Sequence, residues 1–416
     1  MVTRMTSSLQ SVIWSVLLLP SLALEPELTG LQQVHLLFRH GDRTPISAFP
    51  TDPHRDYDWP GGWGQLTVRG MRRHFQLGQW LRQRYAGFLS DKYERREIQV
   101  RSTDTDRTLM SALSNLAGLY PPTQDQTWNT QLAWQPIPVH TVPQEEDYLL
   151  SSHANCPRFT QLQEEIEQGA WMQNIYRKNQ ELFDFISNKT GTRITDIVKL
   201  DYIYDCLLIE NDNNLTLPAW TNSIFPDGKF KELRDLSFTV DTLTDELKRL
   251  KGGPLVKEMI QHFDEVRQNK TDMKVYMYSA HDTTVAPLLH TLNVFNSLAP
   301  PYASLVLVEL LEREGLHVRL SYHNESGRPP YSLSLPGCEE LCPLERFRSL
   351  TAQFIPGDIL TECGVPARQD ETMQRITMVA ALSSSLLATA VLVATVLAVC
   401  RGRRNAENRI DFPDAR

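Results

Sequence analysis

Val34-His35-Leu36-Leu37-Phe38-Arg39-His40-Gly41-Asp42-Arg43-Thr44-Pro45 opens as an apolar run and breaks off into two arginines around a histidine, closed by Gly and Pro. The run is short, rich in strand formers and bounded by turn residues, so it predicts a buried strand emptying into a loop. Such a loop suits a multiply charged anion. Arg39 and Arg43 offer planar forks of donors that match phosphate oxygens. Gly41 lets backbone approach closely, and Pro45 stiffens the exit. An imidazole flanked by fixed cations has its charged form disfavoured, so His40 is expected to stay neutral and nucleophilic toward a bound phosphoryl group. The bland alternative is a strand followed by a solvated basic turn. Against it stands the pattern R-H-G-x-R-x-P, whose chance occurrence in a chain of this length is on the order of one in ten thousand.

Two more strands end in the same way. Ile98-Gln99-Val100 runs into Arg101, and Met273 to Tyr278 empties into Ser279-Ala280-His281-Asp282. In open α/β sheets, ligands bind beyond the carboxyl ends of the strands, so these residues are expected to converge on one pocket. Alone, His281-Asp282 reads as the cap of a helix carrying Val285, Leu288, Leu289 and Leu292; beside the other two strand ends it reads as part of a site. Asp104 and Asp106 could pair on a metal, but one of Asp104, Thr105 and Asp106 capping a helix over Leu109, Leu113, Leu116 and Tyr120 explains them better.

Met71, Phe75, Gly78, Leu81 and Tyr85 recur at helical spacing, and most arginines between them (Arg72, Arg73, Arg82, Arg84) are expected on a solvated face. From 156 to 253 strand signals thin out and helical periodicity recurs, which predicts a helical cap subdomain inserted into the body. Leu305 to Leu310 and Leu316 to Leu320, separated by Glu312 to Gly315, predict a hairpin. The fold class is α/β: a mixed central sheet flanked by helices, with an antiparallel edge and the helical insert.

The chain has 416 residues and a formal charge of -8, which argues against nucleic acid as a partner; the local arginine cluster, not the net charge, sets the field at the site. Arg4 and an apolar run from Val12 to Leu24 with a small-x-small end predict a signal peptide over 1–23. From Ile376 to Cys400 no charged residue occurs, and Arg401-Gly402-Arg403-Arg404 follows. At about 1.5 Å per residue that run spans the roughly 30 Å hydrocarbon core, and the arginines mark the cytoplasmic side. The expectation is a single-pass type I membrane protein. Residues 24–370 form the body outside or in a lumen, 376–400 the transmembrane helix and 401–416 the cytoplasmic tail. Acceptors for N-glycosylation at Asn188, Asn214, Asn269 and Asn324 lie between the two apolar segments. The tail has neither tyrosine nor dileucine, which favours the cell surface over the lysosome. Of the six cysteines, Cys400 sits at the membrane edge, where palmitoylation is conceivable. Five remain outside, so at least one is unpaired or bonds another chain. Cys338 and Cys342 could close a local loop, and no spacing suggests a zinc site.

The order R-H-G-x-R-x-P, then Arg-Ser-Thr-Asp at a strand end, then His-Asp resembles the histidine acid phosphatases over nearly all of the body. Trp134 to His140, Ser279 to Thr284, and Pro336-Gly337-Cys338 through Cys342-Pro343-Leu344-Glu345 agree with them. The resemblance implies that Arg39, Arg43 and Arg101 bind phosphate oxygens, His40 forms a phosphohistidine, His281 hydrogen-bonds the phosphoryl group, and Asp282 protonates the leaving alcohol. It implies no metal and no cofactor, phosphate monoesters as substrates (protein phosphotyrosine among them), and a homodimer. It also implies disulfides Cys156–Cys363 and Cys338–Cys342. A third bridge of the family falls here on Ile209 and Leu305, which leaves Cys206 a free thiol. A capping position at a helix start would depress the pKa of Asp282, whereas a general acid must hold its proton; an acidic optimum is expected. The competing readings are an inositol-phosphate phosphatase, which would want a more cationic pocket mouth, and a receptor or adhesion ectodomain on a catalytically dead fold.

Overall fold

The computed structural model describes residues 28–325, 327–366 and 371–407. The expected signal peptide and the last residues of the tail lie outside the described residues. Two compact units divide the chain, one ending at Cys363 and one beginning at Gly364.

In the first unit, β1 (Leu31–Arg39), β2 (Ile98–Ser102) and β3 (Val275–Ala280) form a parallel set in which β3 lies between the other two. β4 (Leu305–Glu312) pairs antiparallel with β1 and forms the expected hairpin with β5 (Leu316–His323). The short strands β6 (Tyr331–Leu333) and β7 (Leu341–Pro343) complete the sheet against β5. The sheet is therefore mixed, with its parallel half holding all three strand ends singled out above.

β1 is buried from Gln33 to Arg39, and strand alternation sends its side chains into two cores. Val34, Leu36 and Phe38 face one core with Leu77 and Leu81 of α1 (Val68–Arg84) and Ala112 and Leu116 of α2 (Asp106–Leu119). Leu37 faces the other, against Leu255, Val256 and Met259 of α9 (Gly253–Arg267) and Val285 and Leu288 of α10 (Asp282–Thr291). Between α2 and α9 in sequence come α3 (Pro157–Gln168), α4 (Ala170–Lys178), α5 (Gln180–Thr190), α6 (Ile197–Asp212), α7 (Lys229–Val240) and α8 (Asp245–Lys251). Most of them share a separate core around Met172, Phe183, Leu200 and Phe230, joined by Phe49 from the loop after β1. The unit closes with α11 (Leu344–Thr351) and α12 (Ile359–Glu362). Disulfides join Cys156 to Cys363 and Cys338 to Cys342, whereas Cys206 is unbridged and buried, as are Ile209 and Leu305.

Helix α1 departs from its expected faces. Phe75 is exposed, while His74 is buried with Nε2 3.1 Å from the Arg39 carbonyl oxygen. Arg84 is not solvated: it is buried at the helix end beside Glu309 of β4, its Nη2 3.1 Å from Oε1. Arg319 of β5 donates to the other oxygen of Glu309 at 2.8 Å, and the Tyr85 hydroxyl donates to Oε1 at 2.7 Å. In the second unit, α13 (Glu371–Glu407) contains Ala381–Arg403, a segment long and apolar enough to cross a membrane.

Candidate active site

The loop leaving β1 is pinned on three sides. The His40 amide donates to the Ala280 carbonyl of β3 at 2.9 Å, the His40 carbonyl accepts from Ala303 at 3.1 Å, and the Gly41 amide donates to Ser111 Oγ of α2 at 3.1 Å. Gly41 is needed for closeness, since a Cβ there would stand 2.6 Å from the Gly70 carbonyl oxygen at the start of α1. Asp42 points away from the site and is held by Arg69 at 2.8 Å and Arg73 at 3.3 Å. That leaves Arg39, His40 and Arg43 to define the floor.

His40 Nδ1 lies 2.8 Å from the carbonyl oxygen of Gly41, a bond only an N–H can make, so the lone pair sits on Nε2. Burial drives the imidazole pKa well below its usual value, and Arg39, His281, Arg107 and Arg43 push it the same way. The ring is therefore neutral, as the flanking arginines alone already suggested, with burial as the larger cause. His281, whose ring centroid is 5.4 Å from that of His40, is brought down to about 3 by burial, Arg107 and the other arginines.

The guanidinium groups are each anchored from one side. Arg39 donates to the Pro300 carbonyl at 2.6 Å, pairs with Asp282 at 2.7 Å and stacks on Tyr302 at 4.1 Å. Arg43 forms a bidentate pair with Asp205 of α6 at 2.9 and 3.1 Å. The Nε atoms of Arg39, Arg43 and Arg107 are buried with no protein acceptor. A set of leftover donors this close together suits an anion with several oxygens.

Arg107, in the first turn of α2, was not anticipated as a site residue. It lines the same cleft as His40, Arg43, His281 and Asp282, with Nη2 3.5 Å from His281 Nδ1. Burial and the neighbouring Arg43 lower its pKa to about 10, as expected for a cation held among cations. Arg101 does not line the cleft. Alternation along β2 sends its side chain to the α9 face, where it donates to Asp147 at 2.5 Å and lies 4.0 Å from Glu258. The structure thus replaces Arg101 by Arg107 in the cleft. A signal for this existed in the sequence: Thr108, Ser111 and Asn115, polar at helical spacing, form part of the buried face of α2. Of the three capping candidates Thr105 is the N-cap, although its side chain makes no capping bond, and Asp104 and Asp106 are exposed.

Asp282 is the first residue of α10 and the Arg39 partner. Burial alone would raise its pKa, but Arg39, Arg43, His281 and Arg234 together leave it lowered. The depression expected from a helix start is real, and its main source is the arginine cluster. Above this floor the cleft, about 360 Å³, is walled by Ile46, by Val198, Asp201, Tyr202 and Asp205 of α6, by Phe238 of α7 and by Asp241 just after it. Arg234 is drawn to Asp201 at 3.1 Å and Asp235 at 3.3 Å.

Residues 30–323 match the Histidine phosphatase superfamily (branch 2). The chain is 42% identical over 370 residues to prostatic acid phosphatase of Bos taurus, covering 88% of this chain and 96% of that protein. It is likewise 42% identical over 374 residues to lysosomal acid phosphatase of Rattus norvegicus, covering 88% of each. Among solved structures it resembles the Hafnia alvei phytase in complex with myo-inositol hexakis sulphate, with a TM-score of 0.61 at 17% identity over 80% of this chain and 99% of that one. That likeness concerns the fold.

Proposed function

The chain belongs to the histidine phosphatase superfamily (branch 2), and from that premise we propose that it is an acid phosphatase hydrolysing phosphate monoesters through a phosphohistidine at His40. One observation carries the reading: a neutral imidazole, its Nδ1 tied to the Gly41 carbonyl, stands among three guanidinium groups that keep unpaired donors, with Asp282 beside it. The arginines take the non-bridging phosphate oxygens and hold the charge that develops in the transition state. His281 adds a hydrogen bond to the phosphoryl group. His40 Nε2 attacks phosphorus as the ester P–O bond breaks, and Asp282 passes the proton brought in by the ester monoanion to the departing oxygen. Water then attacks the phosphohistidine with Asp282 taking a proton back, the N–P bond breaks, and inorganic phosphate leaves.

The carboxylates Asp201, Asp205 and Asp241 in the wall disfavour a polyanionic substrate, so simple esters are preferred over inositol polyphosphates. Ile46, Val198, Tyr202 and Phe238 provide an apolar flank for an aryl leaving group, which supports phosphotyrosine in proteins as one substrate class. We place the catalytic body on the non-cytosolic side of the cell surface, anchored by the apolar helix and glycosylated at Asn188, Asn214, Asn269 and Asn324. The first three of these asparagines are exposed. A homodimer through the face around Trp128 and Leu132, both exposed, completes the proposal.

The test is rapid mixing of the full-length protein with a phosphorus-labelled aryl ester and an alkaline quench. An acid-labile adduct on His40 is expected, and His40→Ala should lose the adduct and about 10³-fold or more in turnover. Turnover by the wild type with no trapped label under burst conditions would rule out the covalent route. Binding without any turnover would favour the receptor reading.

A further inference from the structure

A second group of reactive side chains lies behind the cleft wall, outside the phosphate machinery. Asp52, on the loop that follows the Arg-His signature, meets Cys206 and Glu210 of α6, and all three are buried (3%, 1% and 1% exposed). Cys206 and Glu210 are four residues apart, so they share one face of the helix. The sulfur of Cys206 is 3.6 Å from Asp52 Oδ2 and 3.4 Å from Glu210 Oε1. Glu210 Oε2 is buried with no hydrogen-bond partner. Among the described residues, neither carboxylate is in an ion pair with Lys or Arg. Glu210 also faces Asp52 within hydrogen-bonding reach, and no cation among the described residues stands among the three acids, so either protons shared between them or a metal ion must offset their charge.

The spacing fits a particular cation. With metal–sulfur bonds of about 2.3 Å and metal–oxygen bonds of about 2.0–2.2 Å in tetrahedral geometry, sulfur and oxygen ligands stand roughly 3.5 Å apart. Both sulfur–oxygen distances, 3.6 and 3.4 Å, lie beside that figure. A thiolate among the ligands selects a borderline ion such as Zn²⁺ over Ca²⁺ or Mg²⁺. We propose that Asp52, Cys206 and Glu210 form a structural Zn²⁺-class site that staples the loop after the signature to α6. Binding displaces the thiol proton, and a water or backbone carbonyl fills the fourth position. The neighbour of Cys206 in α6 is Asp205, the anchor of Arg43, so the staple steadies the wall without touching the substrate. The loop is already fastened to the cap from its other side, where the Thr51 amide donates to the Thr190 carbonyl at 3.2 Å.

The site is tested on the full-length protein without a polyhistidine tag, in a Cys400→Ser background so that Cys206 is its one free thiol. The protein is expressed in medium supplemented with Zn²⁺ or Co²⁺ and purified in detergent. Expected are about one metal per chain after dialysis and, in the cobalt form, a thiolate-to-cobalt charge-transfer absorption. Cys206→Ala should abolish that absorption, and Glu210→Gln should weaken retention at least tenfold; aryl phosphate turnover within threefold of the parent confirms that each is folded. Metal content that these changes leave unaltered, or a cobalt form with no thiolate band, overturns the site and leaves a cluster that holds only protons. Should either variant fail to fold, thiol alkylation of the parent decides: Zn²⁺ must protect Cys206 and a chelator must expose it, and equal reactivity in both overturns the proposal. Because the readouts are metal content and thiol chemistry, failure here does not touch the phosphatase reading.

Discussion

Asp282 has to give up a proton that its surroundings take from it. Burial would raise its pKa, but Arg39 at 2.7 Å and the arginines behind it leave it lowered, so in the free protein it is a carboxylate across the mildly acidic range. The proton is best supplied by the ester itself, bound as its monoanion. Phosphate esters lose that second proton near about pH 6, so kcat/KM is expected to fall roughly tenfold per pH unit above it. An initial-rate profile that stays flat to pH 8 would show another proton source. Asp282→Asn should lose about 10²–10⁴ with alkyl esters and far less with activated aryl esters, whose leaving groups need no proton. The two arginines near α2 separate just as sharply. Arg107→Ala should cost about 10²–10³ in kcat/KM. Arg101→Ala removes a partner of buried Asp147 and is expected to lower thermal stability while changing kcat/KM less than tenfold.

Arg107 reaches the site because two helices meet with nothing between them. A Cβ on Gly78 of α1 would stand 2.0 Å from the Asn115 carbonyl oxygen of α2, and one on Gly118 would stand 2.1 Å from that of Phe75. Gly78→Ala should therefore destabilise by about 1–3 kcal/mol or more, read as a lower Tm, with a loss of activity as α2 is pushed off the signature loop. On the opposite end of α1, Glu309 lies between Arg84 and Arg319. Glu309→Ala strands two buried cations and should cost about 3–5 kcal/mol, measured by denaturant unfolding. The helical periodicity of α1 was plain in the sequence, but its buried arginine was not. Composition reads arginines as solvated, and only a carboxylate arriving from a strand more than two hundred residues away reverses that.

For the whole chain, the apolar segment Ala381–Arg403 predicts that the protein stays with membranes on alkaline carbonate extraction, and that a stop after residue 370 releases the body into the medium. Release of the full-length chain by carbonate would refute anchoring. What the sequence determined by itself is whatever depends on neighbours along the chain. The anion loop is such a case, because Arg39, His40, Gly41 and Arg43 are nearly adjacent and turn chemistry presents them together; so are the three strands, the hairpin and the long uncharged run, each set by local pattern and length. Tertiary structure alone decided which strand-end cation enters the cleft, since pleat alternation turned Arg101 toward α9 and helix packing brought Arg107 in. It also decided that Asp205 anchors Arg43 and that Asp52 meets Cys206 and Glu210. Those partners come from elements folded far apart in sequence, and only the packing of α6 against the loop after β1 makes them neighbours.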